Sequence, residues 1–216
     1  MVELGVTVTD CLADQPDGVL LDLTAAPCLD PRLPAWLLGM ARTARRWPGA
    51  PLLVAAPPAW LTGIDGITTY AETADAVATA RQLPAAPRRS LRLPPVAPSC
   101  AAARDLAWQA CHDFGLRRPA QIVRLLASEL AANAIVHART ELQLTLRAVP
   151  GGIDVAVRDG DPFPPQAPGP HDAGGGLELV SALSRDWGCL LTSDGKVVWA
   201  RVEVLSDQGT LRRAPA

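Results

Sequence analysis

The sequence is almost devoid of lysine, and this scarcity excludes one class of phosphate site. Lys196 is the only lysine among 216 residues, so the basic character comes from arginine. A Walker-type loop needs Gly-Lys followed by Ser or Thr, and Gly195-Lys196-Val197 lacks the hydroxyl. Positive charge is not in excess either, because 20 basic residues face 22 acidic ones and the net charge is −2. We therefore expect no nucleic-acid partner.

Long apolar runs and paired cysteines are also missing. The longest apolar stretches, such as 52–56 and 197–200, fall far short of the roughly 20 residues that span a bilayer. The first ten residues lack the basic start and apolar run of a secretory signal. The five cysteines are scattered without Cys-x-x-Cys spacing, which favours reduced thiols over a zinc site. We expect a soluble cytoplasmic protein with no membrane partner.

Length and proline content predict two domains, since one core usually takes roughly 100 to 200 residues. Prolines cluster between 84 and 98, so we place a linker at 84–89 between a first domain at 1–83 and a second at 90–205, with a tail at 206–216. In the first domain, buried strands at 19–23 and 52–56 flank an amphipathic helix at 34–47. This order predicts a small α/β module.

The second domain shows a different pattern. A helix that Ser99 caps is followed by another that starts after Pro119 and runs to about Ala138. Apolar and polar residues then alternate on both sides of a Gly-Gly turn at 151–152, and a long Pro/Gly-rich loop spans 160–176. A helix at 177–183 and a hairpin at 189–204 complete the pattern. It predicts an antiparallel sheet with helices on one face.

Three segments of the second domain carry candidate chemistry. On its second helix, Glu129, Asn133 and His137 are spaced four residues apart and share one stripe beside Leu126 and Leu130. This stripe is either a solvated helix face or a place where a carboxylate and an amide oxygen orient water and hold Mg²⁺.

The other two segments lie around the long loop. Asp159-Gly160 follows a strand, and it is either a turn or an acceptor for an adenine amino group to which the glycine gives the base access. Gly174, Gly175 and Gly176 come just before Leu177 at a helix start. They form either a hinge or a cradle of backbone N–H groups for phosphate oxygens.

In this order, the three segments resemble those of a known family. Residues 90–204 resemble the GHKL (Bergerat-type) ATP-binding fold and, within it, the anti-sigma-factor serine/threonine kinases. The resemblance rests on Glu129-Leu-Ala-Ala-Asn133-Ala-Ile-Val-His137-Ala138, Asp159-Gly160, the glycines Gly174 and Gly176 with Leu177 and Val180, and the closing segments 186–188 and 195–199.

The resemblance implies an α/β sandwich whose mixed, mostly antiparallel sheet is covered by helices on one face. It implies ATP and Mg²⁺ as cofactors, Glu129 as general base, Asn133 as magnesium ligand and Asp159 with Gly160 as adenine contacts. The phosphate lid would comprise Gly174, Gly175, Gly176 and Leu177. Val197 would stand where related proteins often carry a nucleotide-binding threonine.

Residues 1–83 resemble a STAS domain of the anti-sigma-antagonist type, through segments 19–24, 28–30 and 52–56. Pro31 stands where phosphorylatable members have a serine. The implied function is an ATP-binding anti-sigma-type kinase that regulates a sigma factor or a STAS-domain antagonist by binding and phosphorylation. The alternative is a nucleotide-gated binding regulator without turnover. Homodimerisation is left open by the sequence.

Overall fold

A computed structural model describes residues 2–26, 30–57, 67–165 and 176–204. The chain divides into two compact units, Met1–Ala85 (unit 1) and Ala86–Ala216 (unit 2). Within the described ranges, no helix is long and apolar enough to cross a membrane. The fold class is confirmed: both units are built of helices packed on sheets, one sheet parallel and the other antiparallel.

Unit 1 contains a three-stranded parallel sheet in the order β1–β2–β3. Its elements are α1 (Val2–Ala13), β1 (Val19–Asp22), α2 (Leu33–Arg46), β2 (Leu52–Ala55), β3 (Thr68–Tyr70) and α3 (Thr73–Ala80). The predicted strands and the predicted helix correspond to β1, β2 and α2. Leu37, Ala41 and Ala44 form the buried stripe of α2, and Pro34 lies in its first turn, where a missing N–H costs nothing.

The resemblance of unit 1 to a STAS domain stays a prediction. Of the residues that suggested it, Cys28 and Leu29 lie outside the described residues. Asp30 forms an ion pair with Arg32 just before α2, and the side chain of Pro31 is exposed.

Unit 2 contains a five-stranded sheet in the order β4–β5–β6–β8–β7, and all four pairings are antiparallel. Its elements are β4 (Arg88–Leu93), α4 (Pro98–Asp113), α5 (Ala120–Asn133), a π-helical turn (Ala134–Ala138), β5 (Leu142–Val149), β6 (Gly152–Asp159), α6 (Gly176–Leu183), β7 (Asp186–Thr192) and β8 (Gly195–Glu203). The strand predicted from Ser90 begins at Arg88, inside the proposed linker.

The helices of unit 2 and one face of its sheet enclose a common core. Alternate residues of the central strands point into it, among them Leu144 of β5, Val155 of β6 and Ala200 of β8. From the helices, Val123 and Leu130 of α5 are buried in the same cluster. Side chains that continue this alternation to the strand ends must therefore also lie on the helix-covered face.

One capping prediction is wrong. Ser99 is not the N-cap of α4, because the helix begins at Pro98 and Ala97 occupies the cap position. The Ser99 hydroxyl instead donates to the carbonyl oxygen of Pro94 at 2.7 Å, which ties the first turn of α4 to the segment that leaves β4.

Candidate nucleotide site

Asp159 is the last residue of β6, and strand alternation places it inside the protein. Ile153, Val155 and Val157 of the same strand lie in the core, so the side chain of Asp159, two residues further, points to the same face. Asp159 is only 4% exposed. The carboxylate is therefore not solvated, but its Oδ1 also accepts the N–H of Asp161 at 3.0 Å, so the alternative of a turn-forming aspartate stays open.

Lys196 lies directly opposite Asp159 in the register of β6 and β8. Its ammonium contacts Asp159 Oδ1 at 3.0 Å, Asp161 Oδ2 at 2.7 Å and the carbonyl oxygen of Asp161 at 3.2 Å. The Lys196 and Asp159 side chains are each 1% exposed, whereas that of Asp161 is 22% exposed. These three residues form a largely buried ion-paired triad with one excess negative charge when all are ionised.

The two oxygens of Asp159 have different surroundings. Oδ1 accepts hydrogen bonds from Lys196 and from the backbone N–H of Asp161, the latter at 3.0 Å. Oδ2 is buried and has no hydrogen-bond partner. A buried acceptor without a donor costs roughly 1 to 3 kcal/mol, so Oδ2 is the atom that a ligand donor would satisfy.

The protonation equilibria of the triad follow from burial and from its hydrogen bonds. Burial raises the pKa of Asp159, while hydrogen bonds from the Asp161 amide and from Lys196 oppose that shift. The hydrogen bond from Lys196 lowers the pKa of Asp161. For Lys196, burial acts to lower the pKa, but hydrogen bonds to the two carboxylates outweigh it and raise the pKa. Lys196 therefore stays charged at neutral pH.

Gly160 is constrained by Thr140. Its N–H donates to Thr140 Oγ1 at 2.9 Å, and a Cβ at position 160 would lie 3.2 Å from Thr140 Cγ2. A side chain at position 160 would therefore require Thr140 to shift by a few tenths of an ångström. Its predicted role in giving a base access to the backbone stays a prediction.

Glu129 and Asn133 lie on α5, and both are half-buried. Leu126 and Leu130 beside them are buried in the core, so this face of the helix is not a fully solvated one. Asn133 is the last residue of α5, one turn after Glu129. The helix continues directly into the π-helical turn, and such turns are frequent at functional sites.

The carboxylate of Glu129 lies against the first residue of α6. A Cβ built on Gly176 would be 3.1 Å from Glu129 Oε2, so the absence of a side chain at 176 lets the carboxylate approach the helix start. The structure thus brings two of the three predicted segments together. Leu177 is buried as the second residue of α6, and Gly174 and Gly175 lie outside the described residues.

His137 lies in the π-helical turn that follows α5, near the triad. Its side chain is exposed, and it lies near enough to Asp161 to make a small contribution to the lowered pKa of that carboxyl. The predicted residues therefore occur as two neighbouring groups. Glu129 lies with Gly176, and Asp159 lies with Lys196 and Asp161, which His137 approaches.

A cavity of about 290 Å³ lies at the same end of the sheet, and Asp159 and Gly160 are among the residues that line it. The strand side chains that line it include Arg92, Gln143 and Arg158. These three pair across β4, β5 and β6, and alternation puts them on the face away from the helices. Val197 pairs with Arg158 on that face as well, so a threonine there would not face Asp159.

The residues present fit a nucleotide with Mg²⁺. Asp159 Oδ2 offers a buried acceptor for an amino group, and α6 begins beside Glu129 with the N–H groups that suit an anion. Asn133 offers an amide oxygen. Among the described residues, no group of three or more His, Cys, Asp or Glu could hold a metal ion. A magnesium ion would therefore depend on phosphate oxygens and waters for most of its ligands.

Sequence reasoning missed two members of the triad, Lys196 and Asp161. One signal for Lys196 was available: it shares the alternation of Val198, Ala200 and Val202, which marks the core-facing side of β8. A charged residue in that series predicts a buried partner. Its identity could not be read from the sequence, because it depends on how β6 and β8 pair.

Comparison with known proteins does not identify the family or the activity of this chain. No protein-family model and no curated protein matches the sequence. Among solved structures, one that matches is the crystal structure of the RsbU and RsbW domains of Rv1364c from Mycobacterium tuberculosis, with 14% identity and a TM-score of 0.42. The match covers 54% of this chain and 32% of that one. A likeness at this level assigns no activity, so the functional argument rests on the geometry above.

Proposed function

We propose that unit 2 binds ATP with Mg²⁺ and acts as a regulatory serine/threonine kinase of the anti-sigma-factor type. The observation that carries the proposal is the buried, unpartnered Oδ2 of Asp159 at the end of β6. An exocyclic amino group of adenine supplies the missing donor, and a hydrogen bond to a charged group contributes about 1.5 to 3 kcal/mol. The motif order of the sequence supports the same assignment.

The roles of the remaining residues follow from their chemistry. ATP with Mg²⁺ supplies a charge-compensated γ-phosphoryl group. Glu129, half-buried beside the start of α6, accepts the proton of an incoming serine or threonine hydroxyl. The new bond forms between that oxygen and the γ-phosphorus, and the bond to the bridging oxygen breaks, which releases ADP. Asn133 would hold the metal, and the N-terminal segment of α6 would receive the phosphate oxygens.

Unit 1 enters the proposal as a STAS-like module that binds or regulates a partner. Pro31 has no hydroxyl to accept a phosphate. The acceptor of the kinase is therefore a separate STAS-domain protein, and the regulated target is a sigma factor or that antagonist. ATP binding without phosphate transfer is the outcome that would support the alternative, a nucleotide-gated binding regulator.

The first experiment measures ATP binding by calorimetry and by thermal unfolding with Mg-ATP. At 100 times its Kd, the nucleotide should stabilise the fold by about 2.7 kcal/mol, which raises the Tm by roughly 5 to 10 °C. The key variant is Asp159→Asn. Lys196 retains the side-chain oxygen of the asparagine, so its NH₂ group replaces Oδ2 and faces the adenine amino group donor to donor. We expect at least about a tenfold loss of affinity.

Asp113→Asn is the matched control. Asp113 forms an ion pair with Arg89 at 2.7 Å and is 39% exposed, so the same chemical change away from the triad should leave ATP affinity unaltered. Absence of binding by the wild-type protein at millimolar Mg-ATP would reject the proposed function. Wild-type affinity in a folded Asp159→Asn protein would reject Asp159 as the base acceptor.

A further inference from the structure

Lys196 uses all of its hydrogen-bonding capacity inside the protein. An ammonium group has three protons and no acceptor, and the structure supplies three acceptors, one on Asp159 and two on Asp161. The Lys196 side chain is 1% exposed. It therefore has no proton left for a ligand, and any effect it has on a nucleotide must pass through the two aspartates.

The contact with Lys196 decides which oxygen of Asp159 is available. Oδ1 is shared by the ammonium and the Asp161 amide, whereas Oδ2 is buried without a partner. Because Oδ2 is buried, a ligand group that hydrogen-bonds to it, such as the amino group of a base, has to reach the interior. Asp159 thus offers a ligand only Oδ2 as an acceptor, whereas a carboxylate without such partners would offer both oxygens.

The charged groups around Asp159 show what removal of the ammonium would do. Asp161 carries a second negative charge within the triad. Cys189 of β7 is electrostatically coupled to Asp159 and Lys196, and burial raises the pKa of its thiol to about 11, so it is neutral at physiological pH. His137 acts on Asp161 from the end of the α5 segment. Lys196 is therefore the cation that directly opposes the effect of burial on Asp159.

We propose that Lys196 is a positioning residue for base recognition, which engages Oδ1 of Asp159 and leaves Oδ2 as the single acceptor offered to the amino group of a purine. This inference rests on the proposed function and adds to it a preference for adenine over hypoxanthine. A charged Oδ2 accepts the 6-amino group of adenine and repels the 6-oxo group of hypoxanthine. A protonated Asp159 would instead be able to donate to that 6-oxo group.

The test compares ATP with ITP, whose base is hypoxanthine, by calorimetry between about pH 6 and about pH 9. The wild-type protein should prefer ATP by roughly 10- to 100-fold, and this preference should depend less on pH than that of the variant without the ammonium. In Lys196→Met, loss of the ammonium raises the pKa of Asp159 further. ATP affinity should therefore fall as the pH decreases and recover as it increases, and the preference for ATP should shrink at the acidic end.

Lys196→Arg is the conservative control, and it should keep both the preference for ATP and the pH profile of the wild type because it keeps the cation. A lysine with a purely structural role would lower affinity equally for both nucleotides at every pH, and that result would overturn the inference. If the wild-type protein binds neither nucleotide, the proposed function itself fails, an outcome distinct from ATP binding without dependence on Lys196.

A second measurement covers the case in which Lys196→Met does not fold. Because Lys196 is the only lysine, selective ¹⁵N-lysine labelling gives one ammonium signal in the NMR spectrum of the wild-type chain. The signal should persist, protonated and slow to exchange, when ATP is added. Its loss to solvent exchange would show that the nucleotide displaces Lys196 from Asp159, and the inference would be wrong.

Discussion

At the scale of single residues, the candidate site combines a buried triad with a half-buried carboxylate. The triad of Asp159, Asp161 and Lys196 holds three ionisable groups where solvation is poor. Burying an ion pair gives little net stability, but removing one partner leaves an uncompensated charge and typically costs about 3 to 5 kcal/mol. The triad is therefore not a net source of stability, and its role under the proposed function is to present Asp159 Oδ2 to a ligand.

Glu129 provides the prediction that separates binding from transfer. Glu129→Gln keeps the size of the side chain beside Gly176 but removes its ability to accept a proton. We expect ATP affinity to stay within about twofold of wild type, while phosphate transfer from labelled ATP to a STAS-domain acceptor falls by about 100-fold or more. The measurement pairs calorimetry with transfer of the labelled γ-phosphoryl group.

Glu203→Gln is the control for that experiment. Glu203 forms an ion pair with Arg185 and is the last residue of β8, whereas Lys196 is near its beginning. This variant should transfer phosphate at the wild-type rate. Transfer at the wild-type rate by Glu129→Gln would remove Glu129 from the role of general base. If the wild-type chain transfers none while it still binds ATP, the alternative without turnover gains support.

At the scale of elements, the site depends on the close approach of β8 to the end of β6, its antiparallel neighbour in the sheet. A Cβ on Gly195 would lie 1.9 Å from the carbonyl oxygen of Asp159, so only glycine allows β8 to begin beside the end of β6. Gly195→Ala should push the strands apart next to Lys196. We expect a loss of about 1 to 3 kcal/mol in the free energy of unfolding, measured by urea denaturation, together with weaker ATP binding.

Gly39→Ala is the control, and its expected effect on stability has the opposite sign. Gly39 lies within α2, and a Cβ there meets no atom within 4 Å outside its own helix backbone. The substitution should stabilise the protein by roughly 0.5 to 1 kcal/mol, because alanine has the higher helix propensity. If Gly195→Ala proves as harmless as Gly39→Ala, then the site does not depend on the close approach of β8 to the end of β6.

Elements with strong local signals could be predicted from sequence, whereas elements set by tertiary packing could not. β5 and β6 show clear alternation, and α5 follows Pro119 as expected. By contrast, α1 contains alternating Val and Thr at 6–9, β-branched residues that disfavour a helix. It is helical with Val8 and Leu12 buried one turn apart on the same stripe. Here packing overrides local propensity.

The same limit applies to the site. Glu129 and Asp159 were predicted because they occur in recognisable local motifs. Lys196 and Asp161 complete the site through the pairing of Asp159 with Lys196, 37 residues apart in the chain. Such a pairing depends on which strands become neighbours in the sheet. Local periodicity carries no information about that order.

At the scale of the whole molecule, the two units have separate sheets of different type. Unit 1 contains the parallel sheet of β1, β2 and β3. Unit 2 contains the antiparallel sheet and all the candidate site residues. A ligand that binds only the folded site should lower the rate of local opening around that site. Unit 1 can therefore serve as an internal reference for nucleotide binding by unit 2.

Hydrogen–deuterium exchange with mass spectrometry tests this localisation on the full chain. With saturating Mg-ATP, peptides from α5 and its π-helical turn, the end of β6 and α6 should exchange several-fold more slowly, because a bound nucleotide restrains the backbone that contacts it. Peptides from α2, β1 and β2 should keep their rates. At an ATP concentration near the wild-type Kd, Asp159→Asn should show much weaker protection in unit 2 than the wild-type protein, because its affinity is lower. Protection confined to unit 1, or equal in both units, would place the nucleotide away from Asp159 and contradict the proposed site.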